Sequence, residues 1–303
     1  MKRAASFLIT VYASVPVVLH LFPWILGHAI FAHLLRLPFF VDLDRPEDVL
    51  NHTCNFYLGT EEGVSVGVWH TLPASKWEEA AGKSPEWYRG TLGDGHPVVI
   101  YLHGNVGTRW DESDFFFFFL LQILSAAGYH VLSLDYRGFG DSSGEPSEAG
   151  MTSDALYLYK WAKTQSKGSL VCLWGHSLGS PVEAIILESP YTRIGEVVVI
   201  HPLAKVRAGV TVFSFFCGAR FNVSFSPTPP HSLKFLTCPL LILHAEDDNV
   251  VPHHMGLTLY QTSLQARKQH NTEDQVEMIS YSANLGFSHS NIYLDPNLPN
   301  VVR

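Results

Sequence analysis

Short apolar runs that alternate with longer helical patterns constrain the fold of this chain more than any other feature. Each run has the length of a strand, and strands buried on both faces of a parallel sheet are mostly apolar. The five runs are Val98–Leu102, Tyr129–Leu134, Leu170–Trp174, Ala184–Leu187 and Leu240–Leu243. Alternation of strand and helix along the chain predicts the α/β class, with a doubly wound and mostly parallel sheet.

Two further strands are predicted outside these runs. Val64–Trp69 alternates between apolar and polar residues, which predicts an early strand, and Gln275–Tyr281 is expected to form the last one. By contrast, Val41–Gly59 is predicted to be a polar lead-in, and Lys76–Gly95, which contains glycine and proline, is predicted to be a loop.

The clearest helix lies between the second and third apolar runs. Its apolar residues recur at helical spacing, which predicts one buried face. They are Ala155, Leu158, Trp161 and Ala162. Thr152 or Ser153 is the expected N-cap, since a hydroxyl can accept a hydrogen bond from an unpaired amide of the first turn.

A serine flanked by glycines follows the third apolar run directly, in the order Gly175-His176-Ser177-Leu178-Gly179. This pattern is typical of a sharp strand-to-helix turn that exposes the serine hydroxyl above the sheet. Its position after a buried strand favours this interpretation over a chance match. Ser177 is therefore the predicted nucleophile.

A serine hydroxyl is a weak nucleophile, so it needs a base and a group that orients the base. On folds with such a turn, the chain order is serine, then an acid, then histidine. Asp247 and Asp248 both follow the run that ends at Leu243, where an acid would face the same sheet edge as Ser177. We predict Asp248, which lies two residues before Val-Val-Pro, and interpret Asp247 as a solvated loop residue.

His289 is the predicted base, because it follows the last predicted strand in a loop that contains glycine. The chain has 16 histidines, so a single one proves little by itself. His270 precedes the last strand and fits less well, while His253 and His254 adjoin the acid loop and are interpreted as surface residues. Adjacent histidines without a spaced third ligand do not predict a metal site. No metal and no cofactor are expected.

Two backbone amides are expected to stabilise an oxyanion. One belongs to Leu178, immediately after the predicted nucleophile. The other belongs to Asn105, which follows His-Gly at the end of the first apolar run. Loss of one such donor typically costs about 3 kcal/mol of transition-state stabilisation.

The N-terminal 40 residues have the character of a membrane anchor. No Asp, Glu, Lys or Arg occurs between Ala4 and Leu35, and Lys2 and Arg3 precede this run. A spanning helix needs about 20 mostly apolar residues, and basic residues stay on the cytosolic side. We therefore predict a single-pass anchor and interfacial segment over 1–40 and a lumenal domain over 41–303. A cleaved signal peptide and a buried helix are the alternatives.

Two acceptor triplets for N-glycosylation occur, and Asn51, just after the predicted anchor, fits a lumenal domain better than Asn222. Cys54 and Cys217 could form a disulfide in that compartment, but their spacing does not decide it. The net charge of −8 and the lack of a basic tract argue against nucleic-acid binding. The oligomeric state is not predicted.

A cap over the active site is predicted for residues 194–235. This stretch is apolar at first, then rich in phenylalanine, then rich in proline, which suits a cover that admits a lipid chain. The alternative is a set of ordinary helices and loops.

Several motifs together resemble the α/β-hydrolase-domain lipases that act on lysophosphatidylserine and monoacylglycerol. They are His-Gly-Asn-Val-Gly-Thr from His103, Leu-Asp-Tyr-Arg-Gly-Phe-Gly-Asp-Ser from Leu134, Trp-Gly-His-Ser-Leu-Gly from Trp174, Leu-Glu-Ser-Pro-Tyr from Leu187 and Leu-Ile-Leu-His-Ala-Glu-Asp-Asp from Leu241. The resemblance covers nearly the whole chain. It implies the α/β-hydrolase fold, a lipid substrate, a lumenal active site in the endoplasmic-reticulum membrane, and Ser177, Asp248 and His289 as the triad.

The chain departs from that family at two points. Only about four residues separate Gly179 from the next predicted strand, where the family has a full helix, and Phe115–Phe119 replaces a mixed sequence. Both are typical of an alternatively spliced or truncated product. Two hypotheses follow: an active serine esterase or lipase, or a catalytically impaired hydrolase-like membrane protein.

Overall fold

A computed structural model gives the fold of the chain. It describes residues 41–105, 108–109, 115–177, 186–190, 239–268 and 272–302, together with seven single residues between 14 and 33. The predicted anchor lies mostly outside this part of the chain, and the predicted cap lies wholly outside it.

Eight strands form one sheet in the order β1-β2-β4-β3-β5-β6-β7-β8. The strands are β1 (Thr53–Glu61), β2 (Val64–Thr71), β3 (Val98–Leu102), β4 (His130–Leu134), β5 (Val171–His176), β6 (Ile186–Glu188), β7 (Leu240–Ala245) and β8 (Val276–Tyr281). β1 and β2 pair antiparallel at one edge, and the pairs from β4 through β8 are parallel. The predicted, mostly parallel sheet is therefore confirmed.

Five α-helices occur in the described part of the chain. They are α1 (Pro85–Thr91), α2 (Phe115–Ala126), α3 (Glu148–Gln165), α4 (His253–Lys268) and α5 (Leu298–Val301). Short 3-10 turns connect several elements, at Pro46–Asp48, Ala74–Glu79, Glu273–Gln275, Ala283–Leu285 and Ile292–Leu294.

Both faces of the sheet are covered, as the apolar runs predict. All five residues of β3 are buried, and successive side chains contribute to opposite faces. One face packs with buried residues of α3 and α4, and the other with those of α2 and α5. This packing stabilises the central strands and thereby holds their carboxyl ends in fixed positions.

Three local predictions were wrong. β1 begins within the stretch predicted to be a polar lead-in, and α1 lies within the predicted loop. The N-cap of α3 is Ser147, whose hydroxyl accepts a hydrogen bond from the Gly150 amide. Thr152 lies inside the helix, and its hydroxyl donates to the Glu148 carbonyl. The buried Met151 lies in the first turn of α3, so the apolar stripe begins one turn before Ala155, the first residue of the predicted stripe.

Among the described residues, no helix has the length and apolar character that crossing a membrane requires.

Candidate active site

The predicted site residues lie at the carboxyl ends of parallel strands. Asn105 follows β3, Ser177 follows β5, Asp248 follows β7 and His289 follows β8. In parallel α/β sheets, this edge is where ligands bind. Leu178, the second predicted oxyanion donor, lies outside the described residues, so its role stays a prediction.

The turn at Ser177 has the backbone conformation that the glycine-flanked pattern predicts. Ser177 has a φ of 48°, which is rare for a residue with a side chain. Gly104 passes close to this turn: a Cβ added there would lie 3.1 Å from His176 Nδ1 and 3.6 Å from Ser177 Cβ. The absence of a side chain at Gly104 thus lets the Asn105 loop approach the nucleophile.

Asp248 and His289 are hydrogen-bonded. His289 Nδ1 donates to Asp248 Oδ2 at 2.8 Å, which leaves Nε2 of the imidazole available to accept a proton. Asp248 Oδ1 accepts from the Val250 and Val251 amides at 2.9 and 2.8 Å. The carboxylate is thereby held in one orientation by the backbone of its own loop.

The environment keeps Asp248 ionised. Burial alone would raise the pKa of this carboxyl, but hydrogen bonds from His244 and His289 outweigh burial and hold the pKa well below its ordinary value. A carboxylate that stays charged can orient the imidazole and stabilise the imidazolium formed during catalysis.

His176 connects the nucleophile turn to the histidine loop. Its Nε2 donates to the His289 carbonyl at 3.2 Å, and the two rings lie 5.1 Å apart between centroids. Burial, reinforced by repulsion from His289, lowers the pKa of His176 to about 3, so the ring is neutral. Ser189 Oγ donates to the same carbonyl at 3.0 Å. The backbone of His289 is therefore fixed beside β5.

In the part of the chain that the structure describes, no hydrogen bond joins the Ser177 hydroxyl to the His289 imidazole. Catalytic hydrogen bonds are often long before substrate binds, and they tighten in the complex. The structure brings Asp248 and His289 into direct contact and holds Ser177 beside them through its neighbour His176.

Two further residues support the site and were not identified from the sequence. His244 is fully buried, and its Nε2 lies 3.2 Å from Asp248 Oδ2 and 2.9 Å from the Val251 carbonyl. Asp247 Oδ1 accepts from the Ser288 amide at 3.0 Å and so holds the loop that carries His289. The position of His244 in a buried strand was the available signal, because a polar residue there needs a partner.

A buried ion-pair cluster holds the loop after Asn105 in place. Arg109 is fully buried; its guanidinium contacts Asp135 at 3.1 Å and Asp141 at 2.7 Å, and its amide donates to Asp135. Asp135 directly follows β4, so the cluster links the end of β4 to the predicted oxyanion loop.

Known proteins resemble the chain over most of its length. The α/β hydrolase fold family matches residues 97–208. The chain is 41% identical over 319 residues to the protein named lysophosphatidylserine lipase ABHD12 of Danio rerio, covering 100% of this chain and 82% of that one. It is 42% identical to the Xenopus tropicalis protein of that name, covering 98% and 80%. Identity to the Homo sapiens protein ABHD12B is 39%, covering 94% and 81%.

Solved structures agree on the fold. The esterase Pf2001 of Pyrococcus furiosus superposes with a TM-score of 0.58 at 19% identity, covering 85% of this chain and 90% of that one. Est1E of Butyrivibrio proteoclasticus, solved with ferulic acid, gives 0.54 at 15% identity, covering 82% and 96%.

Proposed function

The chain belongs to the ABHD12 family of α/β hydrolases, and from this premise we propose that it is a serine hydrolase that cleaves the acyl ester of a lysophospholipid. The observation that carries the proposal is the Asp248–His289 hydrogen bond. It lies at the carboxyl ends of the parallel strands, where Ser177 directly follows β5. Lysophosphatidylserine is the proposed substrate, because several relatives carry it in their name. Monoacylglycerol is the second candidate substrate.

In the proposed mechanism, His289 Nε2 accepts the Ser177 proton as the hydroxyl attacks the acyl carbonyl. Asp248 keeps the imidazole in the required tautomer. The Asn105 and Leu178 amides donate to the oxyanion of the tetrahedral intermediate. The imidazolium then protonates the leaving glycerol oxygen, and a water molecule activated by His289 releases the fatty acid from Ser177.

We also propose that residues 1–40 anchor the chain in the endoplasmic-reticulum membrane with residues 41–303 in the lumen. The uncharged run from Ala4 to Leu35 supports the anchor. Asn51 is exposed and lies in a turn, which suits a glycosylation acceptor. Endoglycosidase treatment should lower the apparent mass of the wild type but not of Asn51→Gln. No mass change in the wild type would contradict the lumenal placement.

A cap formed by residues 194–235 is a further part of the proposal. Its phenylalanine-rich centre supports contact with a fatty-acyl chain. The cap and the anchor together would present a single-chain lipid from the membrane to Ser177.

A catalytically impaired protein is the second candidate, and one observation favours it. β5 ends at His176 and β6 begins at Ile186, so nine residues, 177–185, make the parallel crossover. Such connections usually need a dozen or more residues, most often including a helix. That helix normally directs its N-terminal dipole towards the oxyanion.

Labelling with a fluorophosphonate probe separates the two candidates. The solubilised full chain should be labelled, and Ser177→Ala should not. Ser282→Ala is the matched control, because Ser282 is exposed and makes no side-chain cap hydrogen bond. Absence of Ser177-dependent labelling in folded protein would contradict the enzyme proposal. A panel of lysophospholipids and monoacylglycerols would then identify the headgroup.

A further inference from the structure

Three side chains that can bind a metal ion meet at the amino ends of β3 and β4, opposite the strand ends that carry the active site. Asp94 and His96 lie in the turn between α1 and β3, and His130 is the first residue of β4. The His130 amide donates to the Pro97 carbonyl at 2.9 Å, and His130 is in register with Val98. The parallel pairing of β3 with β4 therefore brings the turn and His130 together.

The distances suit a small tetrahedral cation. Asp94 Oδ1 lies 2.9 Å from His96 Nδ1 and 3.3 Å from His130 Nε2, and one ligand atom from each residue lies within 4.8 Å of the others. Zinc binds nitrogen and oxygen at about 2.0–2.1 Å, so tetrahedral geometry requires about 3.3 Å between ligand atoms. Small side-chain adjustments would admit the ion.

Both imidazoles also have a partner for the ring nitrogen that faces away from Asp94. His130 Nδ1 lies 2.9 Å from Nε2 of the buried His70, and His96 Nε2 lies 3.2 Å from Ser75 Oγ. Histidines that bind metal almost always hydrogen-bond through their second nitrogen, which fixes the ring and its tautomer. Here that second set of contacts is already in place.

A metal ion can reach these side chains from solvent, and one coordination position remains open. The His130 side chain is fully buried, whereas the side chains of Asp94 and His96 are 18% and 31% exposed. Two ligands from a partly exposed turn and one from β4 leave the fourth tetrahedral position for water.

We propose that Asp94, His96 and His130 bind one zinc ion, or a similar divalent transition metal, that links the turn before β3 to the start of β4. The ligand set of two imidazoles and one carboxylate suits zinc better than calcium or magnesium, which prefer oxygen ligands. The proposal is independent of the hydrolytic reaction, because these residues lie at the amino ends of the strands and Ser177 lies at a carboxyl end.

Equilibrium dialysis against Zn²⁺, after removal of metal by a chelator, tests the proposal on the detergent-solubilised full chain. The wild type should retain one zinc per chain. Asp94→Asn, which preserves side-chain volume, and His96→Ala should each lose that ion while still unfolding cooperatively. Zn²⁺ should raise the Tm of the wild type but not of these variants.

His33→Ala is the matched control, because His28, His33 and Glu145 form a second group with metal-competent geometry. This variant should retain the zinc, and X-ray absorption at the zinc edge should show two imidazole ligands in both proteins. The proposal is overturned if the wild type binds no stoichiometric zinc. It is equally overturned if Asp94→Asn and His96→Ala keep the ion.

Discussion

Asp248 is the residue through which the candidate active site is organised. Its two carboxylate oxygens contact two histidines, His244 and His289, and two amides of its own loop, at Val250 and Val251. Oδ2 contacts both the proposed base His289 and the buried His244, while Oδ1 accepts from the two loop amides. The carboxylate as a whole and its contact with His244 each give a prediction.

Asp248→Asn should lower kcat by about 10⁴-fold with a small change in KM. An amide at this position can donate to the imidazole and thereby favour the wrong tautomer of His289. Steady-state hydrolysis of a soluble acyl ester measures the effect. The matched variant is Asp247→Asn, which removes charge from the neighbouring carboxylate and should cost far less. Equal losses in the two variants would contradict the assignment of Asp248.

His244→Ala should destabilise the protein near neutral pH and make its stability less dependent on pH in the acid range. The pKa of Asp248 is depressed in the folded state, so its stabilising contribution is present above the unfolded pKa of about 3.9 and is lost as pH falls towards the folded value. Loss of the His244 hydrogen bond raises the folded-state pKa of Asp248 towards the unfolded value, so less stability remains to be lost as pH falls. Tm measured against pH should show a deficit of the variant near neutral pH that shrinks as pH falls below about 4. A curve that is only displaced to lower Tm at every pH would mean that His244 acts through packing alone.

Among the elements, α3 begins before the apolar residues that predict it. Met151 lies in the first turn, is buried, and continues the stripe of Ala155, Leu158 and Ala162 towards the N-terminus. The cap Ser147 lies outside this stripe, so apolar spacing does not locate it. Its position matters, because α3 covers one face of the central strands.

Ser147→Ala should destabilise the protein by about 1 kcal/mol, because the Gly150 amide loses its hydrogen-bond acceptor. For a domain of this size, that corresponds to a decrease in Tm of roughly 2–4 °C. Thermal unfolding measures it. Thr152→Ala is the control, since the Thr152 hydroxyl donates to a carbonyl within the helix and does not cap it. A larger effect at Thr152 than at Ser147 would contradict the cap assignment.

At the scale of the whole molecule, Asp154 joins the antiparallel edge of the sheet to its parallel core. Asp154 is fully buried in α3 and accepts from Arg137, just after β4, through the backbone amide, Nε and Nη2. It also accepts from Thr60 Oγ1 of β1 at 2.7 Å. Three elements distant in sequence thus depend on one carboxylate.

Asp154→Ala should destabilise the protein by about 3–5 kcal/mol, because the largely buried Arg137 loses three hydrogen bonds and its buried ion-pair partner and keeps only the half-exposed Glu61. Glu61→Gln is the contrast. Glu61 also pairs with Arg137, but its side chain is 50% exposed, so its loss should cost at most about 1 kcal/mol. Denaturant unfolding of both variants measures the difference. Similar costs would show that Asp154 does not link the three elements.

The α/β class, the parallel core and the candidate nucleophile could all be predicted from the amino-acid sequence. These depend on local signals: apolar runs of strand length and the glycines that flank Ser177, followed along the chain by an acid and a histidine. Such signals can be recognised in a sequence because each depends only on which residues of a short segment are buried and on the backbone conformation of that segment.

Which side chains meet follows from tertiary packing. The sequence predicts Asp248 as the acid, but its contact with His289, and that of Asp247 with the Ser288 amide, depend on loop geometry after β7 and β8. The same holds for His244 beneath that carboxylate, and for His130 beside Asp94. Such contacts join residues far apart in the chain, and their spacing follows from strand order and register, which local patterns do not specify.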